Sequence, residues 1–163
     1  MKIKSRIKDY EVTFCNNFST NIQKYLNDDC YFLIDYNVFN LYYDDLKTIN
    51  TNNTYTIKAV EENKTIAEVE KIVNFLLEKG IRRNSKIVAI GGGITQDLAC
   101  FTSSILFRGV QWVFYPTTLL AQCDSCIGSK SSINIGKYKN QLGTFYPPQE
   151  IIIDLQFLKT LSE

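Results

Sequence analysis

Unbroken apolar runs recur along this chain, each stopped by an acidic residue, a proline or glycine. CYFLI at residues 30–34 ends at Asp35, KIVAI at 86–90 ends in three glycines, WVFY at 112–115 ends at Pro116, and EIII at 150–153 ends at Asp154. Runs without polar alternation fit parallel strands covered on both faces. Residues 10–14 and 54–60 read as two further strands. Between the runs the spacing changes to three and four. Ile66, Val69, Ile72, Val73, Leu76 and Leu77 follow a Thr65-Ile-Ala-Glu68 capping box, and Gly80 supplies a left-handed stop. Leu98, Ala99, Thr102, Ile105 and Leu106 mark the packed side of a second helix, starting near Thr95 and ending before Gly109. Shorter helices are expected from Ser19 or Thr20 through Leu26, across Val38, Leu41, Tyr42 and Leu46, and from Asp154 or Thr160. Strand alternating with helix predicts an α/β fold around a mainly parallel, open sheet with helices on both faces.

That architecture directs attention to the carboxyl ends of the strands, where open α/β sheets collect ligands. Asp35 and Asn37 follow one strand there, and also suit an Asx turn or helix cap. Glu61 and Lys64 lie between another strand and its helix, where a solvated turn is the ordinary reading. Gly91, Gly92 and Gly93 lie between a buried strand and a helix, which suits a phosphate cradle, though glycines also serve turns. Asp97 follows four residues later. Thr117 and Thr118 offer hydroxyl and N–H groups after Pro116. Residues 124–148, rich in Gly, Ser and Lys, read as an ordered loop region anchored by Ile127, Ile133, Ile135, Leu142 and Phe145.

Charge narrows the partners. The 163 residues carry a formal net charge of +1 with both signs interspersed, so neither a nucleic-acid footprint nor a polybasic membrane patch is indicated. No apolar run approaches the roughly 18 residues of a membrane span. Five cysteines, an odd number, suit reduced thiols and a cytoplasmic location. Cys123 and Cys126 make one C-x-x-C without a second pair, and the chain has no histidine, so packing is the expected role and no metal ligands are assigned.

The ordered pieces GGGITQDL (91–98), RGV (108–110), PTTLLAQCDS (116–125), IGSK (127–130), Lys139-Asn140 and LGTFYPP (142–148) together resemble 3-dehydroquinate synthase and its sugar phosphate cyclase relatives. The pieces TTLLAQCDS and IGSK favour these cyclases over the iron-containing alcohol dehydrogenases, which share the architecture. The resemblance implies a Rossmann-like NAD-binding α/β domain over 1–163. It also implies a C-terminal helical domain that this chain does not include, with the expected junction near Glu163 and the active site between the two. Family members convert 3-deoxy-D-arabino-heptulosonate 7-phosphate to 3-dehydroquinate by transient NAD oxidation, phosphate elimination and aldol cyclisation.

Carried over by position, the resemblance implies that Asp35, Asn37, Glu61 and Lys64 hold the ribose and adenine end of NAD. Gly91, Gly92, Gly93 and Asp97 would meet the pyrophosphate region, and Thr117, Thr118, Lys139, Phe157 and Thr160 would complete the cofactor site. Arg108, Asp124, Lys130 and Asn140 would reach a sugar phosphate substrate. The family's zinc or cobalt is held by a glutamate and two histidines beyond this chain. The expected partners are therefore a missing C-terminal domain or a partner chain, and a second copy in a homodimer. Gln96 stands where the family usually has a small residue, and Ser129 and Ser131 replace the common Gly and Thr around Lys130. These departures leave the sugar phosphate open to another cyclitol precursor, and a noncatalytic nucleotide-binding module is the alternative of a different class.

Overall fold

The computed structural model describes residues 1–27 and 29–161; Glu163, near which the domain junction was expected, lies outside them. In chain order the elements are β1 (Lys2–Ile3), β2 (Tyr10–Cys15), α1 (Phe18–Ile22), β3 (Cys30–Asp35), α2 (Tyr36–Leu41), α3 (Tyr43–Leu46) and β4 (Thr54–Ile57). There follow α4 (Ile66–Glu78), β5 (Lys86–Gly91), α5 (Gly93–Ile105), β6 (Gln111–Pro116), β7 (Ile133–Ile135), β8 (Tyr138–Leu142) and β9 (Glu150–Asp154). A 3-10 segment, Leu155–Thr160, follows β9.

Seven strands form one sheet in the order β1-β2-β9-β6-β5-β3-β4. All neighbouring pairs are parallel except β1 with β2. The parallel strands alternate their side chains between two cores, as the two-residue period of a strand requires. Leu33, Ile87, Ala89, Trp112, Phe114 and Ile151 pack beneath α4 and α5. Phe32, Ile34, Val88, Ile90, Tyr115 and Ile152 face the other way, under α1, α2, α3 and Phe157. Both faces being covered explains why these runs lack polar alternation.

Several boundaries differ from the sequence expectation, each for a local reason. Asn17, not Ser19 or Thr20, caps α1, accepting from the Thr20 N–H at 2.9 Å. The β4 strand stops at Ile57, because Lys58 to Val60 turn away from the sheet and Val60 N bonds to Lys58 O. Thr65 caps α4 through the Glu68 N–H, but Glu68 does not complete a reciprocal box: its carboxylate takes Tyr55 Oη and Lys71 Nζ instead. Val69, Ile72 and Leu76 are buried while Ile66 and Leu77 are exposed, so the apolar stripe is wider than the face that packs. Leu41 and Ile105 are likewise exposed. Gly80 has the expected positive φ of 83°. The region after residue 124 contains a real element, the antiparallel β7–β8 hairpin closed over Gly136, and its expected anchors Ile127, Ile135 and Phe145 are exposed.

Candidate functional site

Chain order and sheet order part company between β3 and β5. The chain leaves β3 for β4 on one side, then crosses to place β5 on the other. The resulting crevice lies at the carboxyl ends of β3 and β5, a topological switch point. Asp35 ends β3 and Gly91 ends β5 beside it, while Pro116 of β6 pairs with Gly91 and Thr117 N bonds to Gly91 O at 2.9 Å.

The three glycines have separate duties. A Cβ on Gly91 would meet Thr95 Oγ1 at 2.5 Å, so this glycine is dictated by packing against the first turn of α5. On Gly92 it would meet Thr118 Cγ2 at 3.0 Å, whereas at Gly93 the nearest atom, Ser125 Oγ, is 4.0 Å away. Gly91 and Gly92 are buried and Gly93 is half-buried, so the exposed part of the turn is Gly93, not all three. The helix begins there rather than at Thr95. Thr65, Asn17 and Asp35 cap other helices, but among the described residues no side chain caps α5, so the N–H groups of its first turn lack the partner a cap would give.

Asp35, Asn37, Thr117, Thr118, Phe157 and Thr160 line one depression of ≈ 180 Å³. They come from three segments, spread from 35 to 160 in the chain. Asp35 also caps α2, its Oδ1 accepting from Asn37 N at 2.8 Å. Burial pushes its carboxyl above the usual range, and the Asn37 and Val38 N–H groups oppose that rise. Asn37 also lines an adjoining depression of ≈ 460 Å³ with Tyr36, Thr56, Lys58, Ala59 and Val60.

A second cluster forms around Lys64, whose side chain is 8% exposed. Its Nζ lies 2.7 Å from Asn140 Oδ1, 3.2 Å from Asp97 Oδ2 and 3.6 Å from Glu61 Oε1. Asp97 Oδ1 accepts from Ser132 N at 2.9 Å and Oδ2 from Ser132 Oγ at 3.0 Å, so both oxygens are engaged within the chain. Burial raises the Asp97 carboxyl; the Ser132 amide and the Lys64 charge work against it. Glu61 is lowered, first by the Asn134 hydrogen bond and then by the charges of Lys64 and Lys139. Lys139 lines a depression of ≈ 270 Å³ with Glu61, Glu62, Thr65, Asn134 and Tyr138.

Asp97, expected at the pyrophosphate, anchors the β7–β8 region to α5 through Ser132. Asp124 and Lys130 are exposed, and among the described residues their side chains have no hydrogen-bond or ion-pair partner. Arg108, expected to reach the substrate, lies apart from these residues. It follows α5, which runs about 20 Å from the switch point, and lies exposed at the opposite end of the sheet, where Phe107 and Arg108 turn the chain into β6 with φ of 51° and 62°. A single chain therefore does not bring it to the cluster. Ser132 and Asn134, missed in the sequence, join the cluster two positions apart on one face of the β7 segment; that spacing beside Lys139-Asn140 was the available signal. Among the described residues no group of three His, Cys, Asp or Glu side chains is placed to hold a metal ion. Carboxylate, amide and hydroxyl groups of Asp35, Asn37, Thr117, Thr118 and Thr160 stand together at the switch point.

A family profile described as 3-dehydroquinate synthase N-terminal matches residues 54–163. The 3-dehydroquinate synthase of Pelagibacter ubique is 36% identical across 100% of this chain and 47% of its own length. Among solved structures, 2-epi-5-epi-valiolone synthase from Streptomyces hygroscopicus subsp. jinggangensis 5008, with NAD+ and Zn2+ bound, aligns with a TM-score of 0.86. It is 28% identical over 98% of this chain and 46% of that one. A 2-deoxy-scyllo-inosose synthase complexed with carbaglucose-6-phosphate, NAD+ and Co2+ aligns at 0.85 and 25% identity, covering 99% of this chain and 46% of that one. The chain spans less than half the length of these proteins.

Proposed function

We propose, since this chain belongs to the 3-dehydroquinate synthase N-terminal family, that it is the dinucleotide-binding half of a cyclase converting 3-deoxy-D-arabino-heptulosonate 7-phosphate to 3-dehydroquinate and phosphate. The observation that carries the reading is the convergence of Asp35, Asn37, Thr117, Thr118, Phe157 and Thr160 on one depression beside the uncapped start of α5. NAD, when bound, supplies a reversible hydride acceptor. The chain's part is to hold it: the open N–H groups after Gly93 suit a pyrophosphate, Asp35 and Glu61 suit ribose hydroxyls, and Lys139 offsets phosphate charge. Asp124 and Lys130, with uncommitted side chains, are assigned to the sugar phosphate, Lys130 compensating negative charge on its oxygens. Asn140 is assigned there too, although its amide oxygen is held by Lys64.

The rest of the enzyme is assigned to the other half present in the longer relatives, metal ligands included. Exposed Leu41, Leu119, Leu120 and Leu155 follow strands or turns at the carboxyl end of the sheet, which suits cover by further chain. Five free cysteines suit a reducing, cytoplasmic setting.

A cyclase acting on another sugar phosphate is the second reading, and Gln96 favours it. Its buried amide donates to Ser125 O at 2.6 Å and accepts from Ser125 Oγ at 2.8 Å, filling space next to Asp124. Calorimetry with NAD, followed by phosphate-release assays with zinc and a panel of sugar phosphates, tests both. Saturable NAD binding by this chain is expected, with turnover only after the second half is supplied. Turnover by the chain alone, or no NAD binding, refutes the main reading; release from a different sugar phosphate selects the second.

A further inference from the structure

Asn134 is buried and uses every polar group it has. Its N–H donates to Lys64 O at 2.8 Å, and its Nδ2 donates to Glu61 Oε1 at 2.9 Å and Glu61 O at 3.2 Å. Its Oδ1 accepts from Asn140 N at 2.8 Å. One side chain therefore ties the turn before α4, which carries Glu61 and Lys64, to the hairpin strand that carries Lys139 and Asn140. Asn140 has a left-handed φ of 56°, a conformation that costs a non-glycine residue energy and needs such an anchor. Glu61 Oε1 is committed to Asn134 and Lys64, while among the described residues Oε2 accepts from no protein donor. A carboxylate with one oxygen locked and the other open is set to receive a ligand hydroxyl.

We propose that Asn134 is a positioning residue of the dinucleotide site, fixing Glu61 so that its free oxygen meets a diol of the ligand while holding Lys139 and Asn140 across from it. The inference rests on the NAD reading above and assigns a role to a residue outside the expected ligand set. The charged groups facing Asn134 are Glu61 and Lys64 from the turn and Lys139 from the hairpin, with Asp97 behind Lys64 and Glu62 and Lys137 on the rim of the adjoining depression.

Two variants separate positioning from bulk stability. Asn134→Asp keeps the acceptor for Asn140 but sets a carboxylate against Glu61; Asn134→Ala removes both halves of the tie. NAD titrations, each normalised to the parent chain at the same pH, are expected to show about tenfold or greater weakening for Asn134→Asp at pH 8. Affinity should largely recover near about pH 5, where one of two adjacent carboxyls is protonated and donates to the other. Asn134→Ala should weaken binding by a similar factor at both pH values. Parental affinity in Asn134→Asp, or a loss that does not change with pH, overturns the proposal. If the parent chain itself fails to bind NAD, the functional reading falls and amide exchange decides the remaining claim. Asn134→Ala must then speed exchange at Asn140 by about tenfold or more while the Ser132 amide, held by Asp97, stays protected; unchanged exchange at Asn140 refutes the tie.

Discussion

At Ser129 local conformation and residue type disagree. It has φ of 61° beside Lys130, and its buried hydroxyl has no hydrogen-bond partner among the described residues. A serine there bears left-handed backbone strain and an unmet hydrogen bond; the family's usual glycine, by the resemblance, bears neither. Ser129→Gly is therefore expected to stabilise the chain by about 1 kcal/mol, the relief exceeding the added entropy of the unfolded glycine. A urea midpoint that fails to rise would contradict this. Gly91 illustrates the converse. A glycine run invited a phosphate reading, yet the position is closed by Thr95, and nothing in a one-dimensional pattern distinguishes a glycine that faces a ligand from one that faces a neighbouring side chain. Asp35 caps α2 through one carboxylate oxygen and also lines the depression, so the cap does not remove it from the switch point.

The elements divide by how local their cause is. The α4 helix was legible because its apolar period, its Thr65 cap and its glycine stop all lie within sixteen residues and point the same way. Only half of the capping box formed, because Tyr55 and Lys71 offer Glu68 better partners than the Thr65 amide. Ile72 is fully buried between α4 and the sheet, so Ile72→Ala should cost about 2–5 kcal/mol in equilibrium unfolding, whereas Leu77→Ala on the exposed edge should cost under about 1 kcal/mol. Equal losses at the two positions would show that the helix packs differently. The β7–β8 hairpin was not legible, since its second strand reads YKNQL and is almost wholly exposed. It is held by Ile133 in the core and by polar contacts to Asp97, Lys64 and Glu61, all distant in sequence, and only weakly by alternation along its second strand.

For the whole molecule, the sheet order turns scattered residues into a site. Lys64 and Asp97 are 33 positions apart, yet they meet at 3.2 Å because α4 and α5 pack on the same face. Lys64→Met removes a buried cation from two carboxylates, of which Asp97 is half-buried, and is expected to cost about 3–5 kcal/mol at pH 8. The loss should shrink at about pH 5. A carboxyl whose folded value lies above its unfolded one favours the folded state when protonated and opposes it as pH rises, and Asp97 is raised further once Lys64 is gone. A loss that stays constant between those pH values would mean that Asp97 is not the group left uncompensated. By itself the sequence determined the parallel strands, the two long helices and the family, because apolar period, caps and ordered motifs are properties of neighbouring residues. Only the tertiary structure decided that Arg108 lies at the far end of the sheet, that Asp97 anchors a hairpin and that Asn134 joins Glu61 to Asn140. Those facts depend on which strand neighbours which and on how buried charges find partners, and both are set by contacts between residues far apart in the chain.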